Sequence, residues 1–168
     1  MKNAHGFTLV ELLIALTLIA ILSTVAVPSF TETIKNNRMV TQVNLLAGSL
    51  ALARSEAIRF GREASVCVSS DQASCTGETN WDLGWMVWVD LNSDSVLDVG
   101  EERRFVDQLP NGMAFTSSTG TSTFVYSSQG TSAGGTLELC DNRTGETGRQ
   151  VRVSSTGRPN TSAFNGCS

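Results

Sequence analysis

Between Phe7 and Phe30 lie 24 consecutive residues with a single charge, Glu11, and no other feature restricts the fold of this chain as strongly. As an α-helix the run extends about 36 Å at about 1.5 Å per residue, against about 30 Å of bilayer hydrocarbon. It is long enough to cross a membrane. A cleaved secretory signal has an apolar region of about 7–15 residues and then a small-x-small site, whereas here helical spacing continues past Ala26-Val27-Pro28. The short head, Met1 to Gly6, carries Lys2, and the positive-inside bias keeps it cytoplasmic. Glu11 costs up to about 2.5–3.5 kcal/mol at the bilayer centre and less near an interface, so it needs a partner. Pro28 lacks a backbone donor and is expected to kink or weaken the helix near the end of the run.

From Thr31 to about Phe60 the residues Val43, Leu46, Ala47, Leu50, Ala53 and Ala57 repeat with the spacing of an amphipathic helix, and Gly61 is a natural stop. Lys35, Arg38, Arg54, Glu56 and Arg59 fall mostly off that stripe, as on a solvated face. After Arg62 the pattern changes to short β-type runs: Ala64 to Val68, Trp85 to Val89, Thr123 to Tyr126, Thr136 to Cys140, and Gln150 to Ser154. The stretches 116–123 and 127–136 read as hairpin loops. The expected fold class is α+β, a long N-terminal helix laid on an antiparallel sheet. Its core anchors are Trp81, Trp85, Trp88, Phe105, Phe115, Phe124 and Tyr126. The expected division is a leader 1–6, an apolar helix 7–30 and a head 31–168 that includes the amphipathic helix 31–60.

The inventory argues against ordinary histidine or metal enzymes. The sole histidine is His5, and cysteines 67, 75, 140 and 167 show no Cys-x-x-Cys spacing. A net charge of -4 excludes a broad footprint for nucleic acid. Charge is nevertheless polarised. Residues 63–110 hold ten acidic groups against Arg103 and Arg104, while residues 141–168 hold Arg143, Arg149, Arg152 and Arg158 against Asp141 and Glu146. Within the acidic section, Asp90, Asn92, Asp94, Asp98 and Glu101 fall at loop positions 1, 3, 5, 9 and 12, with the Val96 carbonyl at 7, the ligand spacing of a calcium loop. Position 6 is Ser95 where such a loop uses glycine, so an acidic turn held by Asx-type hydrogen bonds competes with possible calcium binding.

The stretch Gly6-Phe7-Thr8-Leu9-Val10-Glu11, followed by an apolar helix with Pro28, resembles the class III signal of type IV pilins and type II secretion pseudopilins. The resemblance implies cleavage after Gly6 by prepilin peptidase and N-methylation of Phe7. The mature chain then has no histidine. Its new amine can pair with Glu11 of a neighbouring subunit, so that a buried charge with one designated partner acts as a register pin. Export to an oxidising compartment makes disulfides the default, and of three possible connectivities proximity favours Cys67–Cys75 and Cys140–Cys167.

Ser154-Ser155-Thr156-Gly157-Arg158-Pro159, together with Ala51-Leu52-Ala53-Arg54-Ser55-Glu56-Ala57, Gly84-Trp85-Met86-Val87-Trp88-Val89-Asp90 and the Cys140 strand, makes the whole chain similar to the GspH/FimT group of minor pilins and pseudopilins, its FimU-like members included. The group implies a pilin fold and a structural, non-enzymatic role. It also implies a periplasmic head anchored in the inner membrane before assembly, with other pilins or pseudopilins and prepilin peptidase as partners. Some members bind DNA through a Gly-Arg-x-Arg motif. Gly157 and Arg158 match it, but Asn160 replaces the second arginine, leaving Arg143, Arg149, Arg152 and Arg158 as candidate contacts. Three roles follow: priming or joining a type IV pilus near its tip, service in a type II secretion pseudopilus, or DNA uptake.

Overall fold

The computed structural model describes residues 6–143, 145 and 148–167, apart from the side chains of residues 25, 26 and 28. The leader residues with Lys2 and His5, the side chain of Pro28, and Glu146 therefore lie outside what is described. One helix, α1, runs from Leu9 to Phe60. It begins where the Thr8 hydroxyl accepts the Glu11 N–H at 3.3 Å. That cap also puts the Glu11 carboxylate in the first turn, where the helix dipole favours negative charge. It does not stop at Pro28. It ends because Gly61 adopts a φ of 64°, which lets the Arg62 N–H reach back to the Ala57 carbonyl at 3.2 Å.

The chain divides into two compact units, Met1–Arg38 and Met39–Ser168. In the first, the apolar side chains project into the surroundings on every side of the helix, from Phe7 at 81% exposed to Ile19 at 63% and Phe30 at 66%. Its hydroxyls are satisfied internally: Thr17, Ser23 and Thr24 each donate to the carbonyl three residues earlier, at 2.8–2.9 Å. A helix in hydrocarbon needs that arrangement, because no water is there to accept from an unpaired hydroxyl. The segment is long and apolar enough to cross a membrane.

In the second unit, α1 buries Met39, Val43, Leu46, Leu50, Ala53 and Ala57, a 4-3-4-3-4 spacing that keeps one stripe facing the core. Eight strands follow among the described residues: β1 Ala64–Val68, β2 Trp85–Val89, β3 Glu102–Val106, β4 Met113–Ser117, β5 Thr123–Tyr126, β6 Gly135–Asp141, β7 Gly148–Val153 and β8 Pro159–Phe164. They form two antiparallel four-stranded sheets, ordered β3-β2-β1-β5 and β4-β6-β7-β8. The expected α+β class, a long N-terminal helix on antiparallel sheet, is what forms, with the strands divided between two sheets where one was expected. The segments expected to be hairpin loops are also corrected. The chain between β4 and β5 passes from the second sheet to the first, and the chain between β5 and β6 passes back. Serine, threonine and glycine mark a reversal of the chain but not which sheet it rejoins.

The helix stripe and both sheets share one core, which includes Trp81, Trp85, Phe115, Phe124 and Tyr126. Trp81 is held by its ring nitrogen, which donates to the Thr121 carbonyl at 2.8 Å, and by the Phe124 ring at a centroid distance of 5.5 Å. β1 is buried on both faces, and its alternation sends Val66 to this core and Cys67 to a smaller cluster with Met86 and Trp88, against which Leu97 and the half-buried Phe105 pack.

Candidate functional site

Three places hold the residues singled out in the sequence. At the N-terminus, Gly6 and Phe7 are exposed and precede the first helical residue, and Glu11 is exposed one turn further on. Residues 6–8 lie outside regular secondary structure and are exposed.

The second place is the acidic loop between β2 and β3. Asp90 is buried, and its carboxylate accepts the N–H groups of Ser93, Asp94 and Ser95 at 2.6, 3.2 and 2.9 Å. Glu101, also buried, accepts those of Leu91 and Asp98 at 2.6 and 3.0 Å. The Asn92 amide donates to Asp94 and Asp98 at 2.8 and 2.9 Å. Ser95 takes a φ of 61°, so the sharp turn at position 6 is made without glycine. Asp90, Asn92, Asp94, Asp98 and Glu101 thus each accept at least one hydrogen bond from within the loop. Among the described residues no three Asp, Glu, Cys or His side chains come together where they could hold a metal ion.

The third place is the second sheet and its C-terminal tail. Disulfides join Cys67 to Cys75 and Cys140 to Cys167, each with a Cα–Cα distance of 5.6 Å. A Cβ at Gly148 would stand 2.4 Å from the Cys167 sulfur, so only glycine lets the tail cross there. Arg143 is engaged with Asp141: its Nε lies 3.0 and 2.8 Å from the two carboxylate oxygens and its Nη2 2.7 Å from Oδ2. Both side chains are largely buried, so this arginine serves the loop after β6. Arg149 and Arg152 lie three residues apart on β7, which puts them on opposite faces of the sheet. Arg158 is exposed just before β8. The four arginines are therefore not gathered on one surface.

Sequence reasoning did not single out Asp82 or Asp71. The Asp82 carboxylate accepts the Phe115 N–H of β4 at 2.6 Å, and burial raises its pKa despite that bond. Asp71 closes the Cys67–Cys75 loop by accepting from the Ser74 hydroxyl and from the N–H groups of Ala73 and Ser74 at 2.7–3.0 Å, which holds its pKa well below the usual 3.8. An aspartate two or three residues before serine or alanine in a short cysteine loop is the signal that could have found the second. Nothing local signals the first, whose acceptor role depends on a strand 33 residues away.

Comparison with known proteins follows the same division. The model of a family described as type II transport protein GspH matches residues 42–157, and that of the prokaryotic N-terminal methylation motif matches residues 1–27. No curated protein matches the chain. Two crystal structures of the type IV minor pilin FimU of Pseudomonas aeruginosa share its fold. One aligns over 76% of this chain and 90% of that one, with a TM-score of 0.61 at 21% identity. The other aligns over 73% and 90%, with a TM-score of 0.56 at 22% identity. A methylation-type N-terminus on an exposed apolar helix, joined to a head that the GspH model covers almost throughout, makes this chain a member of the GspH family of minor pilins and pseudopilins.

Proposed function

We propose that this chain is a low-abundance subunit of a type IV pilus that helps prime fibre assembly near the tip. The observation that carries the reading is the exposed, all-round apolar half of α1 behind Gly6 and Phe7, with one acid in its first turn. Prepilin peptidase cuts after Gly6 and methylates Phe7, and the helix waits in the inner membrane with the head outside. It then moves from lipid into a bundle of like helices. That exchange of one apolar environment for another gives little net hydrophobic gain, so packing and pairing must set the register. The amine of a neighbour's Phe7 against Glu11 supplies the pairing, and Pro28 belongs to the same assembly segment. FimU of Pseudomonas aeruginosa, whose fold this chain shares, is a type IV minor pilin, in keeping with this reading.

A second reading, a minor pseudopilin of a type II secretion system, is favoured by the description of the matching family and uses the same chemistry. A deletion strain separates them: loss of pili with normal export of secreted proteins supports the first, and the reverse supports the second. Within either machine, Glu11→Ala should leave the protein processed and inserted but reduce its recovery in sheared fibres by about tenfold or more, as expected when a buried charge loses its designated partner. Normal recovery would remove the register pin from the account.

A further inference from the structure

Each of the two sheets has two outer edges, and three of the four are guarded. β3 carries Glu102, Arg103 and Arg104, with Arg103 Nε 3.5 Å from Glu56 of α1. On β4, the Phe115 N–H is capped by Asp82. On β5, the chain folds back to make the Tyr126–Ser132 bridge, and the Ser127 N–H donates to the Thr131 carbonyl at 2.9 Å. β8 differs. Pro-Asn-Thr-Ser-Ala-Phe has no charge and no bulge, and it pairs only with β7 among the described residues. Natural sheets seldom leave such an edge open, because its N–H and C=O groups template another strand.

This strand is also held with unusual firmness for one that gives no side chain to the core. At its start, the turn 154–158 is pressed on the backbone of Gly130, where a Cβ at Gly157 would stand 2.0 Å from the Gly130 carbonyl oxygen. The same oxygen accepts from Arg54 Nε of α1 at 3.0 Å. Just beyond its end, the Cys140–Cys167 bond ties the tail to β6. The Ser154 N–H donates to the Arg158 carbonyl, so the antiparallel alternation turns the N–H groups of Thr161 and Ala163 outward and leaves Pro159, which has none, in the first outward position. A fixed edge binds another strand without first having to be ordered.

Charge indicates the occupant. Arg152 stands opposite Asn160 and Arg149 opposite Ala163, each with a small β8 residue between it and the open edge. An added strand would lie about 9.5 Å from β7, two strand spacings, within the combined reach of an arginine and a glutamate side chain. The side chains of Arg149, Arg152 and Arg158 make no hydrogen bond or ion pair among the described residues, unlike that of Arg143. We infer that β8 is a pairing edge for an extended acidic segment of a neighbouring fibre subunit, its main chain bonded to Thr161 and Ala163 and its acids, three residues apart, answered by Arg149 and Arg152. That the partner is a fibre subunit rests on the function proposed above, but the edge itself does not. Nucleic acid is less well suited, since a phosphate backbone makes no use of paired strand groups and the two β7 arginines face opposite ways.

The test uses the full chain in detergent and a labelled peptide, Ac-Thr-Glu-Val-Thr-Glu-Val-Thr-amide, with a lysine-for-glutamate counterpart. The acidic peptide should bind, the lysine peptide should not, and amide exchange should slow at Thr161 and Ala163. Thr161→Pro, which removes an outward donor and no bond to β7, should weaken binding by about tenfold or more. Arg149→Ala, at a half-buried position, and Arg152→Ala, at an exposed one, leave the backbone of the edge intact and should each weaken binding by about three- to tenfold and reduce its salt dependence. Three results would overturn the inference: no binding of the acidic peptide, binding indifferent to these variants in chains that melt normally, or a single-stranded oligonucleotide that displaces the peptide and is itself indifferent to Thr161→Pro. Protection at Thr161 and Ala163 that grows with protein concentration without peptide would assign the edge to a second copy and overturn it too. Failure here leaves the Glu11 experiment untouched, so the two conclusions fall separately.

Discussion

Two stretches of a single helix are solvated in opposite ways. From Leu9 to Phe30, α1 is apolar on all sides and exposes the apolar side chains that are described, while from Met39 to Ala57 it buries one stripe and exposes the rest. Helical hydrogen bonding is common to both, so the backbone does not distinguish them. Side-chain distribution does: a stripe can be covered by the chain's own sheets, whereas a full apolar cylinder can be covered only by lipid or by other helices. The head is therefore stable through its own contacts, and the N-terminal stretch depends on what surrounds it.

The largest expected effect tests that contrast directly. Leu50 is fully buried, and Leu50→Ala should cost the head about 2–5 kcal/mol in a denaturant melt, whereas Leu18→Ala, at a residue 54% exposed, should leave the melt unchanged. Equal losses would erase the distinction between the two stretches. Next come the disulfides. Replacing Cys140 and Cys167 by serine, a separation of 27, should cost about 3.6 kcal/mol by loop entropy, and replacing Cys67 and Cys75, a separation of 8, about 2.6. The order of the two midpoints is the readout. The smallest effect concerns pH. The folded loop lowers the Asp71 pKa below 3.8 through the Ser74 hydroxyl first and the Ala73 and Ser74 N–H groups next, so it disfavours protonation. Its stabilisation is present above that value and is lost as pH falls through the lower folded pKa. Protection of the Ala73 and Ser74 amides, taken relative to their intrinsic exchange rates at each pH, should fall with acid in the wild type and lack this dependence in an Asp71→Asn variant.

Much of the architecture was readable because hydrophobic period reports burial. The helix stripe and the runs Ala64 to Val68, Trp85 to Val89 and Thr123 to Tyr126 coincide with elements in the structure. Three strands were not readable. Glu102–Val106 opens with three consecutive charges and buries only Val106, Met113–Ser117 has one buried side chain, and Pro159–Phe164 has none. A strand that buries nothing leaves no periodic mark, and the open edge is such a strand. Arg143 illustrates the same limit at the level of a side chain: its charge was countable, but its engagement by Asp141 depends on the turn after β6.

Local order alone determined the apolar rod, its processing signal, the acid at its first turn and the stop at Gly61, since each depends on residues within a few positions of one another. Tertiary structure decided the rest. It divided the strands between two sheets, spent side-chain oxygens of the acidic loop on the loop's own N–H groups, and left the outer edge of β8 unpaired among the described residues. Those outcomes rest on contacts between residues far apart in the chain, where the energy of pairing and burial is set by the partner that arrives and not by the segment that waits.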